Sequence, residues 1–110
     1  MNLQDLDKVE KSLGVDLPAY YRKAATEGRL TGLLNADAQS VTAINNAFRN
    51  GEFDDEDWPY YILAFADNGY GDFYFLDLSA QNSKVLIRDH ETLERDLEAD
   101  NFDEWLLSVQ

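Results

Sequence analysis

Apolar residues recur at helical spacing through the first part of the chain. Leu3, Leu6, Val9 and Leu13 stand three or four residues apart, and Gly14 follows as a stop signal. The pattern predicts a first amphipathic helix over about residues 2–13. In "VDLPAYYRKAATEG", Pro18 suits the first position of a second helix, where its missing N–H is harmless. Leu17, Tyr20, Tyr21, Ala24 and Ala25 give that helix one apolar stripe, and Gly28 can close it with a positive φ. "RLTGLL" reads as a short strand. Val41, Ile44 and Phe48 then predict a third helix ending near Asn50-Gly51.

The period changes in the centre. "YYILAFA", "FYFLDL" and "KVLIR" are rich in aromatic and β-branched residues and are separated by "DNGYGD" and "SAQNS". They predict an antiparallel meander with strands at about 60–66, 73–78 and 84–88. Both alternating sets are apolar (Ile62 and Ala64 against Leu63 and Phe65), so helices should cover one face and leave the other only partly wet. Leu93 and Leu97 lead into a last segment holding Phe102, Trp105, Leu106 and Val109. Asn101 with Glu104 three residues on resembles a capping box starting a final helix. The expected fold class is α+β: an antiparallel sheet of three to four or more strands packed against N-terminal, middle and C-terminal helices. No repeat or linker interrupts it, so residues 1–110 are expected to form one domain.

Charge narrows the functions. The chain carries 22 Asp and Glu against 9 Lys and Arg, a formal net charge of −13. Nucleic acid and anionic membrane surfaces both require a basic footprint, so neither is an expected ligand. The helix–turn–helix look of the first two helices does not override this. With 45% hydrophobic and 13% aromatic residues, disorder is not expected. There is no cysteine, no basic apolar leader and no run of membrane-spanning length, and the expected location is cytoplasmic.

Candidate chemistry is sparse. "FADNGYGDFYF" has two aspartates and two glycines, yet a calcium loop starting at Asp67 would need oxygen ligands where Gly69 and Gly71 stand. A phosphate cradle fails too, because the loop leads into a strand and carries carboxylates. Asn68-Gly69 instead reads as a hairpin turn, since both residues tolerate positive φ. His90 is the sole histidine, and no serine stands in a nucleophile-elbow context. Zinc needs several Cys or His ligands. Asp67 with Asp72, or Asp77 with Asp89, could meet across strands without being catalytic. The expectation is a non-enzymatic protein without cofactor or metal.

The acids form two groups. Glu52, Asp54, Asp55, Glu56 and Asp57 fall within six residues; Asp89, Glu91, Glu94, Asp96, Glu98, Asp100, Asp103 and Glu104 face only Arg95 among strong bases. Each group is either a solvated face or a docking surface for Lys and Arg. Trp58, Tyr60, Tyr61 and Tyr70 lie beside the first group or in the glycine loop, and aromatic anchors in an acidic rim suit protein binding. Trp58 is the best candidate for the core. The candidate partner-binding residues are Asp54, Asp55, Glu56, Asp57, Tyr60, Tyr70 and Asp72.

Four segments together resemble the SUKH superfamily, which includes fungal cell-wall assembly regulators and bacterial immunity proteins. They are "VEKSLGVDLPAYYRK" from Val9 to Lys23, "ILAFADNGYGDFYFLDL", "KVLIRDHE" and "ADNFDEWL". The resemblance implies an α+β fold and a binding role rather than catalysis. For a chain this small it implies an immunity protein of a polymorphic toxin system, neutralising a cognate toxin, commonly a nuclease. A nuclease that grips anionic substrate tends to be basic, which an acidic inhibitor complements. The alternative is an intracellular regulatory or scaffold module with no toxin partner.

Overall fold

The computed structural model describes residues 1–110. The chain runs α1 (Leu3–Leu13), α2 (Ala19–Thr26), α3 (Ala38–Arg49), β1 (Ile62–Asp67), β2 (Phe73–Asp77), β3 (Val85–Arg88), β4 (Arg95–Ala99) and α4 (Phe102–Ser108). The four strands form one antiparallel meander in the order β1-β2-β3-β4. The mixed α+β architecture expected from the pattern is thus present, with helices from the N-terminus, middle and C-terminus packed on the sheet.

The segment from Val9 to Lys23 folds as a clasp. Gly14 adopts φ 68° and donates its N–H to Glu10 O, ending α1 as only a residue without Cβ does cheaply. The Glu10 carboxylate then accepts the Leu17 N–H at 2.7 Å and the Arg22 guanidinium at 2.7 Å. One side chain thereby caps the connection and ties α1 to α2, while Leu17 and Tyr21 are buried beneath it. Pro18 is the N-cap of α2, one residue before the expected position. Upstream, Asn2 and Asp5 form a capping box that starts α1.

Two cores lie on opposite faces of the sheet. Leu63, Phe65, Leu76 and Val85 face α1, α2 and α4, where Leu6, Tyr21, Phe102 and Trp105 fill the main core. Ile62, Ala64 and Phe75 face the other way, under Phe48 of α3 and Trp58 of the following loop. Trp58 stacks on Phe48 with ring centroids 4.0 Å apart, confirming it as a core residue. Both alternating sets of β1 are therefore covered, which explains its continuous apolar run.

Three local expectations change. "RLTGLL" forms turns, and only Leu34 bridges Asp67, because Leu30 is drawn into the core and Asn35 turns the chain with φ 55°. β4 extends the meander by a fourth strand that hydrophobic alternation does not announce: its sequence is RDLEA and its centre is exposed. Asn101 caps α4 by accepting the Glu104 N–H at 3.0 Å, the forward half of the expected box. No helix is long and apolar enough to cross a membrane.

Candidate functional site

Strand register places the candidate residues. Asp67 pairs with Phe73, Phe73 with Arg88, and Arg88 with Arg95, so these four residues mark one end of the sheet. The β1–β2 turn, with Tyr70 and Asp72, projects from that end, as does the β3–β4 connection from Asp89 to Glu94. Asp55 is bound to Arg88 and approached by Arg95, which brings the 52–57 loop to the same end. Both acidic groups of the sequence therefore converge, the second through its first three members, Asp89, Glu91 and Glu94. Asp54, Glu56 and Asp57 are exposed there and, with Asp55, Leu93 and Arg95, line a shallow open depression.

Asp55 is placed differently from its neighbours. Its side chain and that of Arg88 are each only 3% exposed. Arg88 donates Nε to Asp55 Oδ2 at 3.0 Å and Nη2 to Asp55 Oδ1 at 2.5 Å, a fork matching the carboxylate. It also donates to Phe53 O at 3.0 Å. Its guanidinium lies over the Phe48 ring at 4.8 Å, while that of Arg95 lies over Trp58 at 4.9 Å. Arg95 also donates to Asp57 O. Two sheet arginines thus hold the acidic loop on the second core. Asp55 acts as a strut there, and its charge is matched within the fold. Neither its burial nor that of Arg88 stood out in the acidic and basic pattern.

The glycine-bearing turn is a hairpin laced by its own side chains. Asp67 Oδ1 accepts the Gly69 N–H at 2.8 Å, and Asn68 Oδ1 accepts the Tyr70 N–H at 2.9 Å. Asn68 Nδ2 donates to Asp72 Oδ2 at 2.9 Å. Gly71 needs its missing side chain twice over: its φ is 97°, and a Cβ would stand 3.3 Å from the His90 ring. Tyr70 rides the tip of this turn with 80% of its surface exposed.

His90 ties this turn to the β3–β4 connection. Its backbone N–H and its ring Nδ1 both meet Asp72 Oδ1, at 2.9 and 2.8 Å. An ionised carboxylate only accepts, so Nδ1 carries the proton. This hydrogen bond to Asp72 raises the His90 pKa above 6.5 and holds Asp72 below its ordinary value. Asp89 is also lowered, because the Thr92 and Glu91 N–H groups donate to it. Asp72, Asp89 and His90 have metal-ligand spacing within 4.8 Å, a cluster that joins two loops distant in the sequence. Their contacts account for it as a stitch between two loops: Asp72 Oδ1 serves His90, and Asp89 Oδ1 serves residues 91 and 92.

The stitch has a pH dependence. The stability that His90 contributes is fully present below its ordinary pKa and fades as pH rises through the raised one. The contribution of Asp72 is present above its ordinary pKa and is lost as pH falls through the lowered one. A proton NMR titration of the imidazole should show a midpoint above 6.5, moving downward in Asp72→Asn. A midpoint unchanged by that substitution would mean that the pair is not formed in solution.

Tyr60 stands apart. It is 65% exposed but precedes β1, beside Gly14, Asp16 and Ser79 at the opposite end of the sheet. The structure therefore places Asp54, Asp55, Glu56 and Asp57, held by Arg88 and Arg95, at the same end of the sheet as the turn that carries Tyr70 and Asp72, and leaves Tyr60 at the far end of β1.

These features describe an α+β protein whose distinctive surface is a charged, aromatic-tipped end of an antiparallel sheet. The SMI1 / KNR4 family (SUKH-1) model matches residues 1–108, and the chain belongs to that family. An immunity-like, protein-binding role accords with this membership. The chain matches none of the curated proteins or solved structures compared with it.

Proposed function

We propose that this chain is a cytoplasmic immunity protein that binds and neutralises a cognate bacterial toxin domain, a basic nuclease, through the acidic end of its sheet. The observation that carries the reading is the convergence of Asp54, Glu56 and Asp57 with the 89–94 connection at the end of the sheet from which exposed Tyr70 projects. A nuclease needs cationic groups to hold its substrate. A rigid surface of opposite sign steers that domain into encounter and covers the same groups once bound. Asp54, Glu56 and Asp57 supply charge in this reading, Tyr70 supplies an anchor, Asp72 fixes the glycine-bearing turn through His90, and Asp55 fixes the acidic loop. Tyr60 joins the footprint only if the toxin runs along β1.

The test is co-purification with the product of the neighbouring gene, followed by rescue of cells from that product's toxicity. Failure of both would end the proposal. Exchanging Asp54, Glu56 and Asp57 for their amides should slow association by about tenfold at low salt, with less effect on dissociation. The difference should shrink toward physiological ionic strength, where screening acts over about 8 Å. An association rate insensitive both to salt and to the three amides would remove this loop from the interface. Asp55 stays out of that variant, since its loss disturbs the fold.

A further inference from the structure

The sheet has two edges, and the chain treats them differently. Along β1, Asn45 of α3 acts as a surrogate strand. Its Nδ2 donates to Ala64 O at 2.7 Å and its Oδ1 accepts the Ala64 N–H at 2.9 Å. Arg49 donates to Tyr60 O at 2.9 Å, and Leu34 bridges Asp67. That edge is closed. β4 forms the other edge, and the backbone of Arg95–Ala99 bonds only toward β3. Alternate N–H and C=O groups of an antiparallel edge strand point away from its neighbour.

Side chains along β4 give this edge a character. Ala64 pairs with Phe75, Phe75 with Leu86 and Leu86 with Leu97, an apolar row crossing all four strands. Phe48 and Trp58 cover its β1–β2 end, and Leu97 finishes the row with 54% of its surface exposed. Asp96 pairs with Ile87 and so points to the opposite face, while Glu98 occupies the irregularity between the Leu86 and Val85 pairs. Charges and bulges on an edge normally discourage strand addition. Here they discourage a second copy of this chain, which brings a formal net charge of −13 and the same acids. A strand carrying cations meets the opposite sign.

We propose that β4 is a docking edge for an extended basic segment of a partner protein, which adds a fifth strand to the sheet. Backbone pairing supplies the binding, an apolar side chain lies against Leu97 and Leu86, and Lys or Arg on the alternate face meets Asp96. This rests on the reading of the partner as a basic protein and gives that partner a second point of attachment.

The test uses the full chain, isotopically labelled, with a synthetic peptide of alternating lysine and valine. Amide hydrogen exchange at alternate residues of Arg95–Ala99 should slow by about tenfold, while β1 amides stay unchanged. A peptide of the same charge with alternate amides N-methylated should give no such protection. Leu97→Lys, at an exposed position, should weaken the unmodified peptide by about tenfold without altering the fold. Equal effects from both peptides, protection confined to the 54–57 loop, or no binding would each overturn the docking edge. The outcomes separate this inference from the proposed function. If Leu97→Lys rescues cells and captures the toxin as well as the parent does, the immunity role stands and β4 has no part in it. If β4 is protected but no toxin is found, only the immunity role falls.

Discussion

Asp55→Ala is expected to destabilise the protein by about 3–5 kcal/mol, because it leaves the Arg88 guanidinium buried without its counter-charge. That is a large share of a typical folding free energy of about 5–15 kcal/mol. Arg88→Met should cost less than Asp55→Ala, since Arg95 still stands 3.6 Å from the Asp55 carboxylate and a long apolar side chain can still pack on Phe48. Combining Arg88→Met with Asp55→Leu should recover much of the loss, because the desolvation of both charges disappears together. Urea unfolding of the two single variants and the double variant measures the coupling directly. A loss below about 1 kcal/mol for Asp55→Ala would place the pair in the class of exposed ion pairs and refute its strut role. Loss of this tie should also free the 52–57 loop, so an Asp55 variant should bind a partner poorly for reasons unrelated to its own charge.

Asn45→Leu is the second large effect, with an expected loss of about 2–4 kcal/mol. Leucine fits the helix and the apolar surroundings, yet it leaves the buried Ala64 N–H and C=O without partners. Hydrogen exchange at Ala64 should therefore accelerate strongly in Asn45→Leu. Asn45→Asp should accelerate it at neutral pH, where an ionised carboxylate would be buried against the Ala64 carbonyl, and less at acid pH, where the protonated acid can both accept and donate. An Ala64 amide equally protected in all three proteins would show that Asn45 does not close the edge.

Local chemistry explains which elements could be read ahead of the structure. α1 and α3 follow from apolar spacing, and the β1–β2 turn follows from Asn68-Gly69, whose backbone freedom is a property of two adjacent residues. Asn101 likewise marks the start of α4 by itself. β4 resisted because RDLEA reads as solvated, and its pairing is set by β3 rather than by its own composition. The ion pair of Asp55 and Arg88 spans 33 residues, beyond the reach of any local pattern. One cue was present: Arg88 shares the strand face of Leu86, so a cation at the end of an apolar row called for an acid above it. Asn45 left a similar cue, as an amide inside the helix stripe of Val41 and Phe48. Asp54, Glu56 and Asp57 were visible as acids. Their meeting with Tyr70 and Asp72 depended on strand register, which the sequence does not state.

The Glu10 clasp lies at the Tyr60 end of the sheet, where Gly14 and Asp16 adjoin Tyr60 and Ser79. The residues that make the helical pair recognisable are thus segregated from the loops that carry the exposed carboxylates. Substitutions at the exposed tips of those loops, such as Asp54, Glu56, Asp57 and Tyr70, leave the framework untouched, whereas Asp55, Gly71, Asp72 and His90 belong to it. A framework fastened at one end of the sheet thus leaves the exposed loop tips at the other end free to vary in sequence at little cost to the fold.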